Sequence, residues 1–508
     1  MTRHHRPVTF SGMVRAVYRP SLLFALLAAV VALTWNTWNL QVLRRTPGAA
    51  HLLRAGTTIA TADDPSYLRP VEDLLSFSPE TAGTQGPQLR TPGYGLWYLI
   101  ARLVLPPAAA FTALKLFQCL LFGASVGLVH HVLLRCGLPV KLVHGAAAAM
   151  AVLPMFTGFV FHTLTEGVTP ALCIGVWAAA MRYAQQGQRG WLMAGTMLWS
   201  LLVLTRPVLV WAGLPLLFAA WTSGTATLRT KRLLLVLTMG LLPTGLWWVR
   251  NAVAAGGPIS LHPVYSVNTP GLFRPTHKAF WDLAKSWGAR GDRFHSAMVP
   301  AYEQALLGRI DTSAAEAYLA TAPAGHLSSA EQQRIRDLFL QWAVFTRDRL
   351  RPAIHSPVGT LMELQPEEER IIAGVEEVTK DYRSAHAFHV HMVVPLEVLR
   401  VMVAHSNLNL YLFQHTYRGH WWMEALRWCC AVLHLLLFAS LPFLVLLRGI
   451  PPPARAAALG ALLYLGYLAY VQRGVEERYT LPVLHLAMAL FPFLVHALLR
   501  HARRAAEN

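Results

Sequence analysis

The sequence predicts an all-α polytopic membrane protein: a transmembrane helix bundle of about 10 spans, with interfacial helices and a mostly helical outer domain. Three observations carry this. Only 14% of the 508 residues are charged while 54% are hydrophobic, against about a quarter charged in soluble proteins. The apolar residues fall in continuous blocks near the ~20-residue length that crosses a bilayer, and chain in hydrocarbon must satisfy its own backbone polar groups, as a helix does. The net charge is +18, yet lysine and arginine sit mainly at the ends of apolar runs, where they set topology. That distribution argues against a nucleic-acid partner and for membrane lipids.

Residues 1–19 form a basic N-terminus, and the first span, 20–43, reads as a retained helix rather than a cleaved signal. An outer loop, 44–108, follows. Spans two to seven occupy 109–249, at 109–134, 141–161, 167–183, 191–204, 207–221 and 233–249. A long outer (periplasmic) region, 250–422, precedes the last three spans at 423–447, 454–471 and 479–499, within 423–499, and a tail, 500–508, closes the chain. The five cysteines lie in or beside apolar runs and suggest neither a disulfide framework nor zinc spacing.

Lysine and arginine in the short turns fix the orientation. With Arg3, Arg6, Arg15 and Arg19 on the cytoplasmic side, the other cytoplasmic turns hold Arg135 and Lys141; Arg182 and Arg189; Arg229, Lys231 and Arg232; Arg448 and Arg455; and Arg500, Arg503 and Arg504. Both termini are then cytoplasmic. The apolar stretch 92–105 is short for a span, and counting it would put every later basic turn outside. It reads instead as a helix in the outer interface with Trp97 and Tyr98 at headgroup depth, and 395–413 as another. Amphipathic helices are expected near 331–348 and 366–382.

The chemistry-bearing residues fall on the outer side. Asp63 and Asp64 follow the first span: paired carboxylates suit activation of a hydroxyl or half of a cation site, although Asp64–Pro65 also has the form of a helix start. Glu166, in the short turn from His162 to Gly167, opens the fourth span; an acid there either works chemically or complements the helix dipole. Arg206 interrupts the apolar run between the fifth and sixth spans, while Arg250 and Arg478 stand at the outer ends of two others. Three guanidinium groups suit a phosphate, against the alternative of snorkelling to headgroups. His386, His389 and His391 give an HxxHxH spacing that reads better as an ordinary helix or loop face than as a metal site, since no acid or cysteine completes the set nearby.

In their order along the chain these segments resemble the GT-C integral membrane glycosyltransferases, in the branch of the protein O-mannosyltransferases and the lipid A aminoarabinose transferase. Asp63 to Tyr67 matches an acid-rich D-x-x-x-Y segment, Arg90-Thr91-Pro92-Gly93-Tyr94 an R-x-P-G-Y segment, and Thr165-Glu166 the second acid. Thr205-Arg206-Pro207 matches a (T/S)-(R/K) turn, Arg250-Asn251 with 257–261 an R-N pair before G-x-x-(I/V)-x-L, and 477–482 an E-R-Y-x-x-P motif. The resemblance covers the first seven spans and the last, not most of 270–422.

It implies a GT-C-like bundle and a polyprenyl-phosphate sugar donor, with transfer to a lipid, glycan or protein hydroxyl acceptor on the outer face. Asp63 would be the general base, its pKa tuned toward neutrality, with Asp64 and Glu166 beside it. Arg206, Arg250 and Arg478 would hold the phosphate; Tyr67, Arg90, Tyr94, His162, Asn251 and Tyr479 would position substrate. A divalent metal stays open, since some relatives use one. Two other readings fit the residues: a transporter with its site at broken spans five and six, and a ligase or polymerase moving a glycan from a lipid diphosphate. The Ala/Arg/Leu-rich composition points to a bacterial plasma membrane, and an endoplasmic reticulum protein would look alike.

Overall fold

The structure, a computed structural model, describes residues 10–61, 63–76, 90–222, 226–254, 274–288, 294–356, 363–473 and 476–507. Among these residues, six helices are long and apolar enough to cross a membrane: Arg19–Arg45, Pro107–Arg135, Thr227–Val253, Trp421–Leu446, Pro452–Gln472 and Glu477–Ala506. The first belongs to α1 (Phe10–Arg45). The loop after it folds into a small antiparallel hairpin, β1 (Leu53–Arg54) and β2 (Thr58–Ile59), then α2 (Asp64–Ser76) and α3 (Gly93–Arg102). The bundle continues with α4 (Pro107–Arg135), α5 (Val140–Val152), α6 (Thr169–Gln186) and α7 (Arg189–Thr205). A 3₁₀ segment, Pro207–Gly213, leads into α8 (Leu214–Thr222), and α9 is Ala226–Ala254.

Helix α6 is the centre of the bundle: every residue from Thr169 to Tyr183 is buried, as expected of a helix apolar all round. Gly123 and Gly127 let α4 close on α1 at Ala25, where a side chain would overlap Ala25 and Ser21. Small residues at such spacing allow close helix approach in membranes.

One expectation needs correction here. The third span is shorter than 141–161: α5 stops at Val152 because Pro154 forces Leu153 into extended backbone (φ −72°, ψ 126°), and a 3₁₀ turn, Pro154–Phe156, follows. The aromatic residues of α3 pack against protein. Tyr98 is buried, stacked on Phe111 and donating to Glu72 Oε1 at 2.6 Å, and Trp97 stacks on Phe117. The face of α3 left exposed carries Leu96 and Ile100.

The second long loop region is helical and has its own core. Helices α10 (Pro275–Trp287), α11 (Phe294–Leu306), α12 (Ser313–Leu319), α13 (Ser329–Phe345), α14 (Arg351–Ile354) and α15 (Pro366–Ala385) enclose Phe280, Trp287, Tyr318, Phe339, Trp342 and Tyr382. The amphipathic helices expected at 331–348 and 366–382 are α13 and α15. A buried ion pair, Arg274 Nη2 to Glu368 Oε2 at 2.5 Å, ties the start of the unit to α15. The helix expected over 395–413 is shorter than that: α16 (Val394–Val403) stops where Ala404 leaves helical backbone (φ −97°, ψ 55°), and the chain then turns through Asn407 at φ +52°. The bundle is completed by α17 (Trp421–Leu446), α18 (Pro452–Tyr467) with a π-helical turn at Leu468–Gln472, and α19 (Leu481–Glu507).

Candidate functional site

At one end of the bundle, side chains from six stretches of the chain line one cavity, which encloses about 870 Å³ of empty space, open solvent at its mouth included. The hairpin explains how the stretches of Asp63 and Glu166 meet. Ile59 N–H donates to Phe161 O at 2.9 Å and Thr163 N–H to Ile59 O at 3.2 Å, so β2 runs beside the turn after α5. Asp63 follows that strand, and Glu166 sits in the 3₁₀ turn Thr165–Gly167 that opens α6. Arg206 joins α7 to the segment that begins at Pro207; the proline holds it extended (φ −151°, ψ 97°) and turns it out of the helical run. Arg478 lies in the 3₁₀ turn Glu477–Thr480 ahead of α19.

The charged groups form one network. Arg206 Nη1 donates to Glu166 Oε1 at 2.5 Å, and Thr165 Oγ1 to Glu166 Oε2 at 3.0 Å. Arg478 bridges: Nη2 donates to Asp63 Oδ2 at 2.8 Å, and Nε stands 3.9 Å from Glu166 Oε1. Arg90 Nη2 completes the chain to Asp63 Oδ1 at 3.2 Å. Tyr67 lies under the Arg90 guanidinium and Tyr479 under that of Arg206. Three guanidinium groups face two carboxylates on the lining, and Glu476 beside it pairs with Arg478 Nε at 2.6 Å, so the network balances in charge (3 − 3 = 0). Pro207, Val208, Tyr464, Tyr467 and Leu468 form an apolar and aromatic part of the remaining wall, beside the polar Thr91, Thr205 and Gln472. A cavity with paired guanidinium groups on one side and apolar and aromatic side chains on the other suits an amphiphilic anion that takes a guanidinium from its carboxylate.

The electrostatics correct one expectation. Burial pushes the Asp63 carboxyl up, but Arg90 and Arg478 outweigh it and hold it below the usual carboxylate range. Burial likewise pushes Glu166 up, and Arg206 and Arg478 bring it down. Asp63 is therefore a clamped carboxylate here, not one tuned toward neutrality. The same clamping bears on a metal. Both acids already accept from guanidinium groups, so a divalent cation would enter among three cations, which this donor set does not suit. Among the described residues no group of three or more His, Cys, Asp and Glu side chains is set to hold a metal ion.

Of the residues singled out by sequence, Asp63, Tyr67, Arg90, Glu166, Arg206, Arg478 and Tyr479 line the cavity. Five do not. Asp64 is fully buried and accepts from Thr163 Oγ1 at 2.7 Å and Arg54 Nη2 at 2.5 Å, anchoring the loop. Tyr94 is also buried; its hydroxyl donates to Gln118 Oε1 at 3.1 Å, and Gln118 Nε2 donates to Val160 O at 2.5 Å. His162 takes part through its backbone carbonyl, which accepts from Gln118 Nε2 at 3.2 Å, while burial, together with Arg478, drops its ring pKa to about 4 against the opposing pull of Glu166. These three hold the Glu166 turn in place from behind. Arg250 donates to Asn251 Oδ1 at 3.0 Å and stacks over Trp247, at the end of α9. The matched segment 257–261 lies outside the described residues.

The HxxHxH spacing is structural. His386 Nε2 contacts His326 O at 3.0 Å with the two rings stacked, His389 Nε2 contacts Trp287 O at 3.0 Å, and His391 is exposed. Sequence reasoning missed Tyr464, Tyr467 and Gln472; the only available signal was a pair of hydroxyls at i, i+3 spacing in an otherwise apolar span.

The R-T-P-G-Y segment acquires a physical reason. A Cβ on Gly93 would overlap the backbone of Leu204 and Thr205. The glycine lets α3 close on the end of α7, next to Arg206.

The fold and the site define a class, the polytopic α-helical membrane protein with a charged cavity at one end of its bundle. No family model, curated protein or solved structure matches the chain.

Proposed function

We propose that the protein is a GT-C-type membrane glycosyltransferase that moves a sugar from a polyprenyl-phosphate donor to an acceptor hydroxyl, with Asp63 as general base. The observation that carries this reading is the convergence of Asp63, Glu166, Arg206 and Arg478 from four distant segments on one two-faced cavity. In the reaction the acceptor hydroxyl attacks the anomeric carbon, the C–O bond to phosphate breaks, and the hydroxyl proton passes to Asp63. Arg206 and Arg478 neutralise the polyprenyl phosphate as it leaves. The apolar wall of Val208, Tyr464 and Leu468 offers a surface for the first isoprene units.

Asp63 is freed for this role as the incoming phosphate draws Arg478 away, since guanidinium binds phosphate in the same bidentate manner as carboxylate. Glu166, held by Arg206, orients that guanidinium. We take ten passes, six of them made by helices that are long and apolar enough to cross alone: α1, α4, α5 with the chain that continues it to Phe161, α6, α7, the 207–222 segment, α9, α17, α18 and α19. The basic turns then lie in the cytoplasm with both termini, and the cavity faces out of a plasma membrane.

The test is transfer in nanodiscs from a panel of polyprenyl-phosphate-linked hexoses and pentoses, with wild type and Asp63→Asn. Transfer by wild type and a loss of about 10²–10⁴-fold in the variant are expected for a lost general base. Full activity in Asp63→Asn, with loss on changing the arginines, would instead favour a ligase that uses a lipid diphosphate. Solute uptake without transfer would favour a transporter.

A further inference from the structure

The second loop region ends in a helix whose outward face is apolar. The axis turns by 91° between Pro366–Ala385 and His389–Val403. After that bend Phe388, Met392 and Leu396 recur every fourth residue and stand 76%, 51% and 65% exposed. They form a stripe along one side of a helix. The rest of the unit is different. Among the described residues of 274–385, Leu307 and Val344 alone are large hydrophobics left exposed.

Four observations say what covers the stripe. First, the helix is seated on the bundle. His434 Nδ1 of α17 donates to Val403 O at 2.8 Å, and α16 packs against the Leu468–Gln472 turn and the Glu477–Thr480 turn. Second, the neighbouring span α17 continues the apolar surface: Trp421, Trp428, Val432 and Leu435 are exposed along it. Third, fifteen residues, His389–Val403, extend only about 22 Å at 1.5 Å per residue, too short to cross a bilayer and suited to lying in its plane. Fourth, Arg400 is exposed on the same helix, where a cationic group favours phospholipid headgroups.

We infer that the segment His389–Val403 is a membrane-surface helix, its Phe388, Met392 and Leu396 stripe sunk into phospholipid on the cavity's side of the bundle. The consequence reaches the cavity. The two turns that α16 buttresses supply Leu468, Gln472, Arg478 and Tyr479 to its lining. Lipid contact on one face of the helix therefore holds that wall of the cavity from the other. This stands whatever reaction the cavity performs.

The test is site-specific photo-crosslinking of the full chain in phospholipid nanodiscs, with p-benzoylphenylalanine placed singly at Leu396, at Leu23 and at Glu377. Leu23 is exposed on α1 and serves as the lipid-facing reference; Glu377 is exposed on α15 and serves as the aqueous reference. The expected result is a mass increase of one phospholipid at 396 and 23 and none at 377. Phospholipid at 23 but not at 396 would overturn the inference. So would a crosslink from 396 to a second copy of the chain, which would make the stripe an oligomer interface.

Discussion

The ion pair between Glu166 and Arg206 makes a quantitative prediction about stability. The Glu166 side chain is 3% exposed and that of Arg206 17%. Removing one partner of a buried pair costs about 3–5 kcal/mol, because it strands the other charge. Arg206→Met strands a carboxylate with almost no access to solvent, but Arg478 Nε remains at 3.9 Å as a second positive group. The cost should therefore fall at the lower end, about 3 kcal/mol, or about 100-fold in the unfolding equilibrium. Glu166→Gln strands the better exposed partner, whose guanidinium can reach solvent, and should cost less. The double variant removes both charges and should return to within about 1 kcal/mol of wild type, since an apolar replacement of a buried pair is often neutral. Unfolding of the full chain in mixed micelles titrated with sodium dodecyl sulfate, followed by tryptophan fluorescence, gives the three values. If Arg206→Met falls within the ~0–1 kcal/mol of an exposed pair, Glu166 is not a buried charge and the electrostatic account of the cavity is wrong.

Three further outcomes follow from the same geometry. The Glu166 carboxyl lies below the usual range in the folded state, so its contribution is present above the unfolded glutamate value of about 4.3 and is lost as pH falls through the folded value; the stability gap between wild type and Glu166→Gln should close on that side. Arg478→Gln removes one of the two clamps that hold Asp63 down against its burial. The Asp63 carboxyl should rise in the free enzyme, and the acid limb of the kcat/KM profile for transfer should move to higher pH, whereas an unmoved limb would separate Asp63 from the base. Gly93→Ala should cost about 1–3 kcal/mol by overpacking α3 against the Leu204–Thr205 backbone and should lower activity, because Arg206 follows directly; a melting curve beside the transfer assay reads both.

The long elements were legible because their signal is local. A span announces itself by twenty apolar residues, and α4, α7 and α17 lie within a few residues of their expected ranges. What failed was local too: Pro154 sits inside an apolar run but ends α5 two residues earlier. The site was legible to the level of segment, not of side chain. Asp63 and Asp64 are adjacent, yet the first faces the cavity and the second faces Thr163 and Arg54. Neighbours at a helix start diverge by about 100°, and sequence does not say which of the two points inward. Tyr94 and Gly93 divide in the same way: the glycine provides close packing, and the tyrosine braces the Glu166 turn from behind through Gln118. Tyr464 and Tyr467 were hidden because a tyrosine in an apolar span reads equally well as interface belt.

The central claim, that one cavity receives a lipid-linked phosphosugar, is tested most directly by native mass spectrometry of the protein extracted from its own membrane. A bound polyprenyl phosphate or its glycosylated form is expected on wild type and on Asp63→Asn, and its loss on the pair Arg206→Gln and Arg478→Gln. Retention of the same lipid by that arginine variant, or the absence of any polyprenyl phosphate from wild type, would contradict the claim.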